Sequence, residues 1–219
     1  MKYEIWGGIM PAVTFTFDAG ESIYTQSGGM SWMSDGVDMK TNARGGFAKS
    51  IGRLFTGESI FMATYTARTN GASITVASAM PGCIKAFRIT PGNSIIAQKQ
   101  SFMCATQGVE LSVKWAPKVS AGLFGGEGFL LQKLSGDGIA FIEIDGSMRE
   151  YELGDGEILK VDTGNVAAFE ERVGYEVQTV KGFKNVLFGG EGLFLTVLRG
   201  PGRVWLQTMP TQDLAKRLV

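Results

Sequence analysis

Leu123-Phe124-Gly125-Gly126-Glu127 returns unchanged as Leu187-Phe188-Gly189-Gly190-Glu191, and a looser copy, Leu54-Phe55-Thr56-Gly57-Glu58, stands 69 residues before the first. Two further landmarks keep the same order around each copy. Gly20-Glu21-Ser22-Ile23, Gly92-Asn93-Ser94-Ile95 and Gly156-Glu157-Ile158-Leu159 open the three stretches. A glycine, a bulky apolar residue, a carboxylate and an apolar residue follow 16 to 18 residues later, as Gly36 to Met39, Gly108 to Leu111 and Gly174 to Val177. Ordered landmarks in three copies are the mark of a repeat architecture, in which each copy is one supersecondary unit. Beyond each Leu-Phe motif, Asn70-Gly71, Gly136-Asp137-Gly138 and Gly200-Pro201-Gly202 precede apolar runs, and they read as hairpin turns.

The runs 59–65, 74–77, 129–134, 139–144, 193–198 and 204–207 are short and bounded by glycines, whereas helix-length amphipathic windows are nearly absent. The 31 glycines are about twice the roughly 7% of an average chain, and they fall between the apolar runs. The expected fold is therefore all-β, with three repeats at about 8–84, 85–148 and 149–210 in a pseudo-threefold arrangement. Each copy alone would be marginal, so the 219 residues are expected to form one cooperative domain. A short helical tail is predicted over 211–219, where Thr211 caps, Asp213 lies near the positive end and Lys216 and Arg217 near the negative end.

The chain contains no histidine, which excludes Ser-His-Asp and Cys-His nucleophile systems as usually built and the histidine-ligated metal site of cupins. Cys83 and Cys104 are too few for a disulfide framework or a zinc site. Gly125-Gly126-Glu127-Gly128 is not followed by Lys-Ser/Thr and a helix, so it reads as a turn and not a phosphate loop. No secretory leader or membrane span is apparent, and the expected location is cytoplasmic.

Candidate chemistry is acidic. Glu58, Glu127 and Glu191 stand in the Leu-Phe motifs, and Asp38, Glu110 and Glu176 in the glycine-apolar-acid signature. Each trio, brought to a threefold axis, would hold a hard cation through oxygen ligands. The plainer reading is that these carboxylates accept backbone N–H bonds and fix turns. No cofactor is expected. Met30, Trp32 and Met33, in the glycine-rich stretch 26–52, form a candidate interaction surface, or else strands of the first copy with a longer turn.

Net charge is zero, but residues 40–118 carry ten bases against two acids and residues 137–176 carry eleven acids against three bases. Opposite fields favour self-association or a protein partner, unless the two regions face each other inside the fold. The bases are scattered singly with no aromatic-basic motif, which disfavours nucleic acid.

Met1-Lys2-Tyr3-Glu4-Ile5, Gly28 to Met33, the twin Leu-Phe-Gly-Gly-Glu-Gly motifs, Asp162-Thr163-Gly164 with Ala168-Phe169-Glu170, and Gly200 to Val204 with Gln207-Thr208 resemble the bacterial and archaeal relatives of the altered-inheritance-of-mitochondria family. The resemblance covers essentially the whole chain. It implies a β-fold like that of the tryptophan RNA-binding attenuator, related to the double-stranded β-helix, with three repeats as a pseudo-trimer. It implies no assigned reaction, the mitochondrial member being linked to inner-membrane organisation. Thr56 departs from the Leu-Phe-Gly-Gly-Glu form, and Asn165 stands where histidine is expected in many relatives. No residue here matches the attenuator's tryptophan or RNA contacts, and fold analogy carries no function with it.

The reading that results is a non-enzymatic β scaffold or interaction module that self-associates or binds a protein, with peripheral membrane contact left open. The alternative is a small-molecule-binding protein or a carboxylate-based enzyme of cupin-like shape.

Overall fold

A computed structural model describes residues 1–26, 28–42, 62–114, 130–179 and 194–210. The described residues form strands and two single 3₁₀ turns, at Lys99–Ser101 and Thr163–Asn165. The strands of the N-terminal third are β1 (Lys2–Trp6), β2 (Ala12–Phe17), β3 (Ser22–Gln26), β4 (Trp32–Met33), β5 (Val37–Asn42), β6 (Met62–Ala67) and β7 (Ala72–Ala77). The middle third holds β8 (Gly82–Ile89), β9 (Ile95–Gln98), β10 (Phe102–Thr106), β11 (Val109–Lys114), β12 (Leu131–Gly136) and β13 (Gly138–Asp145). The last third holds β14 (Met148–Leu153), β15 (Ile158–Asp162), β16 (Val166–Glu170), β17 (Gly174–Thr179), β18 (Phe194–Arg199) and β19 (Gly202–Gln207).

One set of antiparallel pairings recurs along the chain. β7 pairs with β2 and β4, and β6 with β3 and β5; β13 likewise pairs with β8 and β10, and β12 with β9 and β11. In the last third β19 pairs with β14 and β16, and β18 with β15 and β17. Two more ladders join the thirds, β3 to β10 and β9 to β16. The result is four sheets: β1-β2-β7-β4, β5-β6-β3-β10-β13-β8, β11-β12-β9-β16-β19-β14 and β15-β18-β17. The ladders thus run in series from first unit to second to third, and among the described residues β15 has no ladder to β4.

Side-chain alternation places a core between each successive pair of sheets. Val13, Phe15, Phe17 and Ile74 of the first sheet meet Ile23, Tyr65, Cys104 and Phe141 of the second. The other face of the second sheet, with Tyr24, Phe87, Phe102 and Ile142, meets Ala97, Leu134 and Trp205 of the third. Ile96, Phe169 and Val204 then turn to the fourth sheet, where Val161 and Leu198 receive them. Inner strands are apolar on both faces for this reason, as in the buried run Phe102 to Ala105.

Units lock together by reaching into each other's cores. Phe141 lies edge-on to Phe15 at 5.1 Å and to Tyr3 at 4.9 Å, and Trp205 edge-on to Phe87 at 4.7 Å. Tyr24 stacks on Phe102 and donates its hydroxyl to the Val109 carbonyl at 2.8 Å. Glutamines clamp the strand ends: Gln26 Nε2 donates to the Lys99 carbonyl at 3.3 Å, and Gln98 Nε2 to those of Gly164 and Val166 at 3.2 and 2.6 Å.

The predicted hairpins at Asn70-Gly71, Gly136 to Gly138 and Gly200 to Gly202 are corrected. Strands do flank each turn, but β6 and β7, β12 and β13, and β18 and β19 lie in different sheets. The chain arches from one sheet to the next there, so the flanking strands face each other through side chains and share no ladder. Successive strands that do pair are β1/β2, β5/β6, β11/β12 and β17/β18. The glycine of the signature at Gly108 is a matter of space, because a Cβ there would lie 1.9 Å from the Asp137 carbonyl oxygen of the neighbouring arch. Gly136 adds a positive φ of 97° in the same arch.

Candidate functional site

The outward face of the first sheet is where apolar surface collects. Register places Thr14 beside Thr75, and Thr75 beside Trp32. The two threonine hydroxyls share a hydrogen bond of 2.8 Å, and Trp6 Nε1 donates to Thr14 Oγ1 at 2.9 Å. The indoles of Trp6 and Trp32 sit over this polar seam with centroids 6.2 Å apart. They remain 42% and 54% exposed, and the hairpin tip beside Trp6 shows Ile9 at 76% and Met10 at 52%. The indole N–H of Trp6 is satisfied inside the sheet, so its exposed surface is apolar ring.

The positions equivalent to Trp32 in the other units, Cys104 and Ala168, are buried, whereas Trp6 lies on β1, which has no counterpart there. Phe141 and Trp205 occupy the place of Thr75, since they pair with Cys104 and Ala168 as Thr75 pairs with Trp32. Both point into the preceding unit's core. The outward face of the first sheet is thus the stacking face of a unit that has no preceding neighbour. The opposite end differs. On the fourth sheet the outward row holds Ile158, 46% exposed, with Lys160, Asp162, Glu176, Gln178 and Arg199, and apolar Val197 and Leu195 between them; Lys160 stands where Tyr24 and Ile96 stand in the other units.

Of the candidate interaction residues, Trp32 and Met33 are exposed, and Met30 packs partly buried against the first core. The stretch holding them also supplies β4 and β5, as strands of the first unit. Sequence reasoning missed Trp6, Ile9 and Met10. Their signal was the uncharged run Ile5-Trp6-Gly7-Gly8-Ile9-Met10-Pro11, a glycine turn tipped with apolar side chains.

The carboxylates of the glycine-apolar-acid signature do not converge. Asp38 lies on the second sheet, Glu110 on the third and Glu176 on the fourth. Asp38 Oδ1 pairs with Arg68 Nε at 3.2 Å, Glu176 accepts from Gln178 Nε2 at 3.2 Å, and Glu110 is exposed. Among the described residues no group of three His, Cys, Asp or Glu is placed to hold a metal ion. Glu58, Glu127, Glu191, all three Leu-Phe motifs and the tail 211–219 lie outside the described residues.

Two ion pairs at the surface link the oppositely charged stretches. Arg88 pairs with Asp137 at 2.7 Å and Lys85 with Glu150 at 3.4 Å. Glu150 Oε2 also takes the Trp205 indole N–H at 2.6 Å. Burial raises its carboxyl, but that bond with Lys85 and Arg203 outweighs burial and holds it below the ordinary range. Arg172 and Arg203 hold Glu170 down against burial in the same way. Cys104 is buried and its thiol is pushed far up by burial; Cys83 is partly buried and pushed up less. Asn165 is a structural donor, its Nδ2 reaching the Gln207 carbonyl at 2.7 Å. No helix of the described residues is long and apolar enough to cross a membrane.

Antiparallel sheets shared in series along the chain, with two indoles on the outward face of the first, define an all-β protein. The chain belongs to the family described as Mitochondrial biogenesis AIM24, whose model matches residues 3–209. An uncharacterised protein of Streptococcus pyogenes serotype M6 is 26% identical over 216 residues, 95% of this chain and 85% of that one. The X-ray crystal structure of a Streptococcus pyogenes protein matches with a TM-score of 0.78 at 23% identity, covering 99% of this chain and 97% of that one. The likeness to that structure is one of fold.

Proposed function

We propose that this chain is a non-enzymatic binding module that self-associates or holds a protein partner on the outward face of its first sheet. The observation that carries the reading is the exposure of Trp6, Trp32, Ile9 and Met10 together on one end face, where the counterparts of Trp32, Cys104 and Ala168, are buried. Contiguous exposed apolar surface marks interaction sites, and tryptophan is enriched at their energetic centres. The lack of histidine and the separation of Asp38, Glu110 and Glu176 agree with binding rather than turnover.

Affinity capture from a native extract, with wild type and Trp6→Ser/Trp32→Ser as parallel baits, tests the reading. Species that copurify with wild type should be lost from the double variant. Equal recovery by both baits would reject this face as the binding surface.

A further inference from the structure

Val197 is 2% exposed, yet none of the three cores among the described residues includes it. It lies at the centre of the fourth sheet, opposite Lys160 of β15 and Glu176 of β17, on the row that faces away from the third sheet. Leu195 shares that row, half-buried, and Ile158 stands at its rim, 46% exposed. An outward apolar row with a buried centre is a surface that has a cover.

Residues 211–219, outside the described ones, fit that row. Pro210, the last described residue, is buried against Gly164, where a Cβ would lie 3.0 Å from the proline Cβ, just beyond the end of β15 at Asp162. The tail therefore starts at the Asp162 end of the outward row. As a helix its nine residues reach about 13 Å, and the row from Asp162 to Ile158, four strand steps of about 3.3 Å, is as long. Leu214, Ala215 and Leu218 give such a helix one apolar stripe. Lys216 and Arg217 are opposite in sign to Asp162 and Glu176 on the row, and Asp213 to Lys160. A segment tethered beside the row also meets it at a high effective concentration, which favours it over a free partner.

From this we infer that residues 211–219 dock as an amphipathic helix across the outward face of the fourth sheet, with Leu214 and Leu218 over Val197 and Leu195. The inference is independent of the binding-face reading and goes beyond it. The far end of the series is closed by the chain's own tail, which leaves the indole face at the near end for a partner.

Limited trypsinolysis of the full chain, read by intact mass, tests it at Lys216 and Arg217, because a docked helix must detach before a protease can cleave it. Leu214→Ser/Leu218→Ser and, independently, Val197→Lys should release the C-terminal residues at least about tenfold faster than wild type. Both sets should lower the thermal midpoint, and together they should lower it little further than Val197→Lys alone, since they break one contact. The tail variant decides the matter should Val197→Lys fail to fold, because its substitutions lie beyond the last strand. Equal cleavage of wild type and the tail variant overturns the inference. A midpoint lowered by Val197→Lys with tail cleavage unchanged also overturns it and assigns the cover to another segment. Protection of wild type that grows with protein concentration from about 1 to 100 µM overturns the contact within one chain and assigns the row to the tail of a second copy.

Discussion

Glu143 and Glu170 are both partly buried carboxylates, and they should respond to acid in opposite senses. Burial is the leading influence on Glu143 and pushes it up; Asp145 adds to the rise, while the Ser78 hydroxyl at 2.7 Å and the Ala79 N–H at 3.1 Å oppose it. A carboxyl raised on folding disfavours the folded state while it is charged, and that cost is relieved as pH falls through its folded pKa. Glu143→Gln should therefore be at least as stable as wild type at pH 7 and should lack the relief on acidification. Glu170 is lowered, so its stabilisation is present above the ordinary carboxylate range and is lost as pH falls below about 4. Thermal midpoints between pH 7 and pH 3 check both signs: Glu170→Gln should flatten the acid loss, and a profile parallel to wild type would reject the assignment. Neither behaviour was legible in the sequence, because each depends on a partner 33 or more positions away. Trp32 and Met33 were legible as surface, since an aromatic and a thioether among glycines have little local structure to bury them. Trp6 was not, because its exposure follows from β1 lying at the edge of an end sheet.

At the scale of the element, strands were readable and their partners were not. Glycine turns and short apolar runs mark β7, β13 and β19 within two residues, yet the turn residues are the same whether the chain folds back into a ladder or arches to the next sheet. The distinction is made by which face of the following strand is apolar, and inner strands apolar on both faces carry no such signal. β15 illustrates what an end strand needs. Its counterparts β3 and β9 accept a neighbour along an edge where β15, among the described residues, has none, and Lys160 is exposed there in place of an apolar residue. Lysine on an open edge discourages strand addition. Lys160→Ile should add species heavier than wild type as concentration rises, seen by sedimentation velocity; a distribution identical to wild type would remove Lys160 from that role.

For the whole molecule, serial sharing of cores predicts cooperative unfolding. Phe141 belongs to the second unit by chain order and to the first unit's core by packing. Phe141→Ala should cost about 3–5 kcal/mol, as for other buried aromatic truncations, and should shift one calorimetric transition as a whole. Two resolved transitions, with only one displaced, would mean that the units melt separately. The surface ion pairs Arg88–Asp137 and Lys85–Glu150 join the two charged stretches within one molecule.

The sharing of cores also sets an order of events during synthesis. The first core needs Ile84, Met103, Cys104 and Phe141, so the N-terminal strands cannot complete their packing until the ribosome has released the chain beyond β13. The middle core in turn waits for Trp205. Each unit therefore matures one unit behind its own translation, and for that interval the half-finished face of the nascent chain is the surface that chaperones would meet.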